Sequence, residues 1–97
     1  MITAIVLLDV DVAAVSETAQ AIADVDMVSE VYSVTGDWDL VALVRVPRHD
    51  QIADVVTGAI TKIPGVRGAH TMIAFQAFSS RDLERMWGVG FDGAEGV

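Results

Sequence analysis

Residues in the first half of the chain recur thirty-eight positions later, and this internal repeat constrains the fold more than any other feature. Ala21-Ile22 aligns with Ala59-Ile60, Val25 with Ile63, Val28 with Val66 and Val31 with Ala69; upstream, Ile5-Val6 aligns with Leu43-Val44. Each copy reads as strand, helix, strand. In the first, Ile2 to Leu8 is a continuous apolar, β-branched run. Val12, Val15, Ala19 and Ile22 then mark one helical face opposite Glu17, Gln20 and Asp24, with Asp11 placed to cap the helix. Val28 to Thr35 is a second strand. In the second copy a strand runs from about Trp38 to Val46 and stops at Pro47, which cannot extend a ladder. Asp50 is placed to cap a helix whose stripe is Ile52, Val55, Val56, Ala59, Ile60 and Ile63, interrupted by Gly58 at a cost of about 1 kcal/mol relative to Ala. Pro64-Gly65 ends it, and Val66 to about Phe78 forms the last strand.

Between the copies lies Gly36-Asp37, where Gly36 permits positive φ and Asp37 can bond its own backbone. Two strand–helix–strand units joined by a hairpin make βαββαβ, an α+β, ferredoxin-like arrangement. Right-handed crossovers place both helices on one face of a four-stranded antiparallel sheet. Residues 1–78 are predicted to form this domain. For 79–97, the capping-box spacing Ser79-Ser80-Arg81-Asp82, with Leu83, Met86 and Trp87 on one face, predicts a short helix followed by a glycine-rich tail.

The second face of the sheet has no element left to cover it. Leu40, Ala42, Val44 and Val46 point one way, Val41 and Leu43 the other, and both sets are apolar. A half-exposed antiparallel strand alternates with polar residues instead. Apolar residues make up 53% of the chain, more than a domain of 97 residues hides alone. Dimerisation through the sheet is the expected outcome. No apolar run reaches the ~18 residues of a membrane span, and Met1-Ile2-Thr3 does not begin like a secretory leader. A cytoplasmic protein is therefore predicted, and the absence of cysteine agrees with it. The formal net charge is −8, with six scattered bases, which argues against direct nucleic-acid binding.

Two carboxylates and an indole crowd the turn, more chemistry than a structural turn requires. Val28-Ser29-Glu30-Val31-Tyr32-Ser33-Val34-Thr35-Gly36-Asp37-Trp38-Asp39-Leu40 resembles the V-x-x-x-x-x-V-T-G-x-Y-D-L signature of the ligand-binding (RAM) domain of the Lrp/AsnC family. Ile63-Pro64-Gly65-Val66 is similar to the P-G-V that opens that family's last strand, and the likeness spans about Ile2 to Phe78. Full-length members carry an N-terminal helix-turn-helix domain, so the chain resembles a stand-alone version. The resemblance implies a non-enzymatic regulatory domain of cytoplasmic transcription regulators. It further implies sheet-to-sheet dimers assembled into octamer or decamer rings and an amino-acid effector bound at dimer–dimer contacts; the apolar second face would also let a stand-alone member mix with full-length relatives. Carried over position by position, it nominates Thr35, Gly36, Asp37, Trp38, Asp39 and Thr71 as ligand-binding residues. Trp38 stands where the family more often has Tyr, which removes a hydroxyl and adds bulk.

In chemical terms, Asp37 or Asp39 suits an ammonium group, and the amides beside Gly36 suit a carboxylate. Trp38 suits a pocket wall or a cation. The structural alternatives are turn-amide bonding for Asp39 and interface packing for Trp38. His49 reads as a solvent-facing loop residue and His70 as a packed or interface residue. Their spacing supports no metal site, and no cofactor is expected. Nucleophile-elbow and phosphate-loop patterns are absent. Paired aspartates (9/11, 24/26, 37/39) sit at element ends, as capping chemistry does. Two alternatives share the fold, a small dimeric monooxygenase-like enzyme and an ACT-type module that dimerises edge to edge; a further reading is an assembly module without a ligand.

Overall fold

A computed structural model describes residues 1–80. Strands β1 (Ile2–Val10), β2 (Val28–Ser33), β3 (Leu40–Val46) and β4 (Val66–Ile73) form one antiparallel sheet in the order β2-β3-β1-β4. Helices α1 (Val15–Ala23) and α2 (Gln51–Val56) follow β1 and β3 respectively. This is the βαββαβ arrangement that the repeat predicts. The helix expected beyond Ser80 lies outside the described residues.

Register decides which side chains share a face, because directly opposed residues of an antiparallel pair point the same way. Val6 opposes Ala42 and Leu8 opposes Leu40; these and the other even-numbered residues of β3, with Ala4 and Val10 of β1, are buried to 0–1% exposure. Ile22 of α1, Ile52, Val55 and Val56 of α2, and Ile60 close over them. Each fully buried aliphatic side chain of this core contributes about 1.5–3 kcal/mol. The other face carries Glu30 and Tyr32 of β2, Val41, Leu43 and Arg45 of β3, Thr3, Ile5, Leu7 and Asp9 of β1, and Gly68, His70 and Met72 of β4. No described element covers it.

The helices depart from expectation in instructive ways. Asp11 does cap, its Oδ1 accepting from the Ala13 amide at 3.0 Å, but it caps a 3-10 turn (Val12–Ala14) and leaves Val12 78% exposed. Asp50 makes no capping bond. Its carboxylate instead pairs with Arg48 at 3.2 Å, while Gln51 Oε1 accepts from the Arg48 amide at 2.9 Å. The second stripe buries the residues it predicts without being one helix: α2 ends at Val56, and a 3-10 turn (Ile60–Lys62) follows. The break falls at Gly58, whose amide donates to the Ala53 carbonyl and where any Cβ would run into the Asp54 carbonyl oxygen. Strand β4 stops at Ile73 instead of Phe78. Its partner β1 begins at Ile2, and the bond from the Ala74 amide to the Thr3 carbonyl (2.8 Å) is the final rung between them. Phe75 and Phe78 lie beyond it, 99% and 85% exposed.

Candidate functional site: the β2–β3 tip

The loop between β2 and β3 covers residues 34–39, longer than the two-residue turn that the sequence suggests. It closes on a bond from the Val34 amide to the Asp39 carbonyl (3.0 Å). Gly36 has φ +111°, with no atom within 4 Å of where a Cβ would sit, so only backbone strain reserves the position for glycine. Thr35, Gly36 and Asp37 are exposed at the tip, whereas Trp38 and Asp39 are half-buried.

Asp39 ties this tip to the body. Its amide donates to the Leu8 carbonyl at 2.9 Å, and its Oδ2 accepts from the Val10 amide, also at 2.9 Å. The carboxylate thus reaches the end of β1 twenty-nine residues away, not the amides of its own turn. Trp38 turns its indole toward His70, with ring centroids 6.1 Å apart and planes inclined by 32°. His70 is exposed and directly opposes Leu7 on the uncovered face.

The structure therefore gathers Thr35, Gly36, Asp37, Trp38 and Asp39 at one corner. Thr71 is placed apart from them: it opposes Val6, a core residue, and so points to the helix side of the sheet. The neighbour that shares a face with Trp38 is His70. Sequence reasoning reached His70 only as a packed or interface residue; its parity with Leu7 across β1 and β4 would have placed it, had the register been known.

Charge at this corner is predominantly acidic, from Asp9, Asp11, Asp37 and Asp39. Arg67 stands against Asp11 at 3.7 Å. On the uncovered face the Tyr32 hydroxyl donates to Glu30 Oε2 at 2.9 Å. That bond, reinforced by the Glu30 negative charge, raises the Tyr32 pKa above the ordinary tyrosine value. Among the described residues no group of three or more His, Asp or Glu is arranged to hold a metal ion, and no helix is long and apolar enough to cross a membrane. A groove of about 410 Å3 lies elsewhere, near the start of β2. It is lined by Val25, Met27, Val55 and Ala59 with Asp26, Gln51 and Asp54, and none of the nominated residues borders it.

A four-stranded sheet, two helices on one face and a polar hairpin corner beside an open apolar face define a small ferredoxin-like α+β domain. Residues 3–83 match the Lrp/AsnC ligand binding domain, and the chain belongs to the Lrp/AsnC family. It is 36% identical over 73 residues to the HTH-type transcriptional regulator FL11 of Pyrococcus horikoshii, a match covering 75% of this chain and 48% of that protein. The chain spans about half the length of the curated relatives it matches. Among solved structures, TTHA0845 from Thermus thermophilus is similar at 46% identity and TM-score 0.77, covering 81% of this chain and 99% of that one. The feast or famine regulatory protein of M. tuberculosis, solved with L-methionine, shares the fold at TM-score 0.69 and 24% identity, covering 81% of this chain and 53% of that one.

Proposed function

We propose that this chain is a non-enzymatic, amino-acid-sensing regulatory domain, which binds an α-amino acid at the β2–β3 tip and assembles through its open sheet face. The observation that carries this reading is the tip itself. An exposed Gly36 at positive φ, the carboxylate of Asp37 and the half-buried Trp38 stand together at the edge of an apolar face that nothing described in the chain covers. The tip offers amide donors for a carboxylate, an acidic group for an ammonium and an indole for a side chain. The amino acid held by the M. tuberculosis relative is in keeping with that chemistry.

Assembly follows from the face. Ile5, Leu7, Val41, Leu43 and Met72 form a band across three strands. At about 25 cal/mol per Å2, burying several hundred Å2 of it against a second copy would supply on the order of 10 kcal/mol before the cost of association. Such dimers leave the tips at the rim, where dimer–dimer contacts of an octamer or decamer ring would enclose a ligand. The same face would let the chain co-assemble with full-length relatives and alter their DNA binding, while its own charge of −8 keeps it off the nucleic acid. A monooxygenase-like enzyme would need a pocket between sheet and helices. The groove of about 410 Å3 on the helix side is lined, among the described residues, by Val25, Asp26, Met27, Gln51, Asp54, Val55 and Ala59, with none of the His, Asn or Trp that such catalysis uses, which supports binding over catalysis.

The test is a thermal-shift panel of the proteinogenic amino acids, with light scattering on each hit. A ligand at about one hundred times its dissociation constant stabilises by ~2.7 kcal/mol, roughly 10–20 °C for a domain of this size. Stabilisation by a few amino acids with a change in mass is the expected result. A flat panel from a stable ring would sink the sensing reading and leave an assembly module.

A further inference from the structure

We propose that the groove beside the start of β2 is a second ligand site, which takes a small organic amine: an apolar body with an ammonium end and no carboxylate. It is separate from the β2–β3 tip and lies on the helix side of the sheet, so it does not depend on the open face.

Two departures from regular backbone build the groove. One wall is the connection from α1 to β2. Met27 there has φ +75°, and among the described residues no other residue except glycine has positive φ. A methionine in that region costs about 1–2 kcal/mol. The other wall is α2, which ends at Val56. Beyond it the Gly58 amide reaches back five residues to the Ala53 carbonyl at 3.1 Å, and the small Ala59 follows. Wide helical turns and strained residues of this kind accompany binding sites. The groove holds about 410 Å3, within the range of small-ligand pockets, and its apolar lining is Val25, Met27, Val55 and Ala59.

The charges at its border select the ligand. Asp26 from one wall and Asp54 from the other are both exposed. Among the described residues neither carboxylate has a hydrogen-bond or ion-pair partner. No Lys, Arg or His among those residues lines the groove. Gln51 Oε1 accepts from the Arg48 amide at 2.9 Å, which leaves the Gln51 side-chain NH2 as the one neutral donor. An anion would meet two like charges here, whereas an ammonium meets two acceptors of opposite charge. The selectivity is the reverse of the tip, whose backbone amides suit a carboxylate. The chain itself does not supply the cation. Residues 81–97 hold Arg81 and Arg85 against Asp82, Glu84, Asp92 and Glu95, a net charge of −2, and a second copy brings −8.

The experiment titrates the full chain at low salt with straight-chain primary amines from propylamine to hexylamine. The matching alcohols and norleucine, the carboxylate-bearing counterpart of pentylamine, are run beside them. Binding is followed by the amide NMR shifts of Met27, Asp54 and Ala59. The amines should give saturable shifts at these amides, with affinity rising about fourfold per methylene until the groove is filled and falling as salt is added. Alcohols and norleucine should bind there roughly tenfold more weakly or worse. Asp26→Asn and Asp54→Asn, both at exposed positions, should each weaken the amines roughly three- to tenfold. Ala59→Leu, which fills the floor, should abolish the shifts. Alcohols that bind as tightly as the amines, or parent-like affinity in both aspartate variants, would overturn the role of the carboxylates. Norleucine shifting these amides at the same concentrations as pentylamine would overturn the discrimination against a carboxylate. A lysine-rich peptide that shifts them where no alkylamine does would give the groove to a protein partner and overturn the small-ligand assignment. Absence of saturable shifts with every amine would overturn the site itself. All of these outcomes leave the amino-acid reading of the tip to its own thermal-shift test.

Discussion

Replacing Asp39 with alanine tests the link between the tip and the rest of the fold. In the native structure Oδ2 of Asp39 takes the Val10 amide at 2.9 Å, and Val10 is only 1% exposed. Alanine removes the acceptor and leaves that N–H without its partner in a place that water reaches poorly. Hydrogen bonds to charged groups are worth about 1.5–3 kcal/mol, and an orphaned buried donor costs a similar amount. The backbone bonds of residue 39, to the Leu8 carbonyl and from the Val34 amide, do not depend on the side chain and survive. Asp39→Ala should therefore cost about 2–3 kcal/mol. Asp39→Asn, which keeps an acceptor oxygen but no charge, should cost about 1 kcal/mol. Urea denaturation at a fixed protein concentration reads this directly, and in melting temperature the alanine variant should fall by roughly 10–20 °C. Asp37→Ala is the matched control: it is exposed at the tip, and its stability should stay within about 0.5 kcal/mol of the parent while amino-acid binding weakens. An Asp39→Ala protein as stable as the parent would refute the claim that this carboxylate pins the hairpin to β1.

The remaining predictions concern the backbone, the open face and the one tyrosine. Gly65→Ala combines a backbone at φ +100° with a Cβ running into the buried Thr18 hydroxyl, so it should cost about 2–3 kcal/mol. Gly36→Val meets no neighbour and should cost about 1–2 kcal/mol from backbone strain alone; the same denaturation series ranks the two. Leu43→Lys puts a charge in the middle of the open face, and light scattering should show a smaller assembly with an unchanged circular dichroism spectrum. Tyr32 is the only tyrosine, so phenolate absorbance reports it alone. Its raised pKa means that the neutral phenol is favoured in the fold: the Glu30 contribution is present below the unfolded-state pKa and is lost as pH rises through the folded one. Glu30→Gln should bring the titration back toward lower pH.

Much of the fold was legible because it is written locally. The repeated strand–helix–strand pattern specifies six elements and the hairpin between the copies, and the connection rules then leave little freedom in topology. The positive φ at Gly36 and the capping role of Asp11 are likewise short-range sterics and hydrogen bonding. The stripe Ile52, Val55, Val56, Ile60 was right about burial because apolar spacing reports which side faces the core, even where Gly58 divides the helix.

The features that the sequence leaves open depend on partners far along the chain. β4 ends at Ile73 because β1 has run out, a fact that no property of Ala74 to Phe78 announces. Thr71 and His70 are adjacent in sequence, yet only the register with Val6 and Leu7 decides which of them shares a face with Trp38. The sequence offers Asp39 as a ligand-binding residue or a turn residue, and only folding brings the Val10 amide within 2.9 Å of its carboxylate. The sequence by itself determined the order and type of the elements, the apolar character of both sheet faces and the residues of the tip, since periodicity and backbone sterics act within a few residues. The tertiary structure alone decided strand length, the side on which each β4 residue emerges and what Asp39 binds, since a one-residue change of register sends every side chain of a strand to the opposite face.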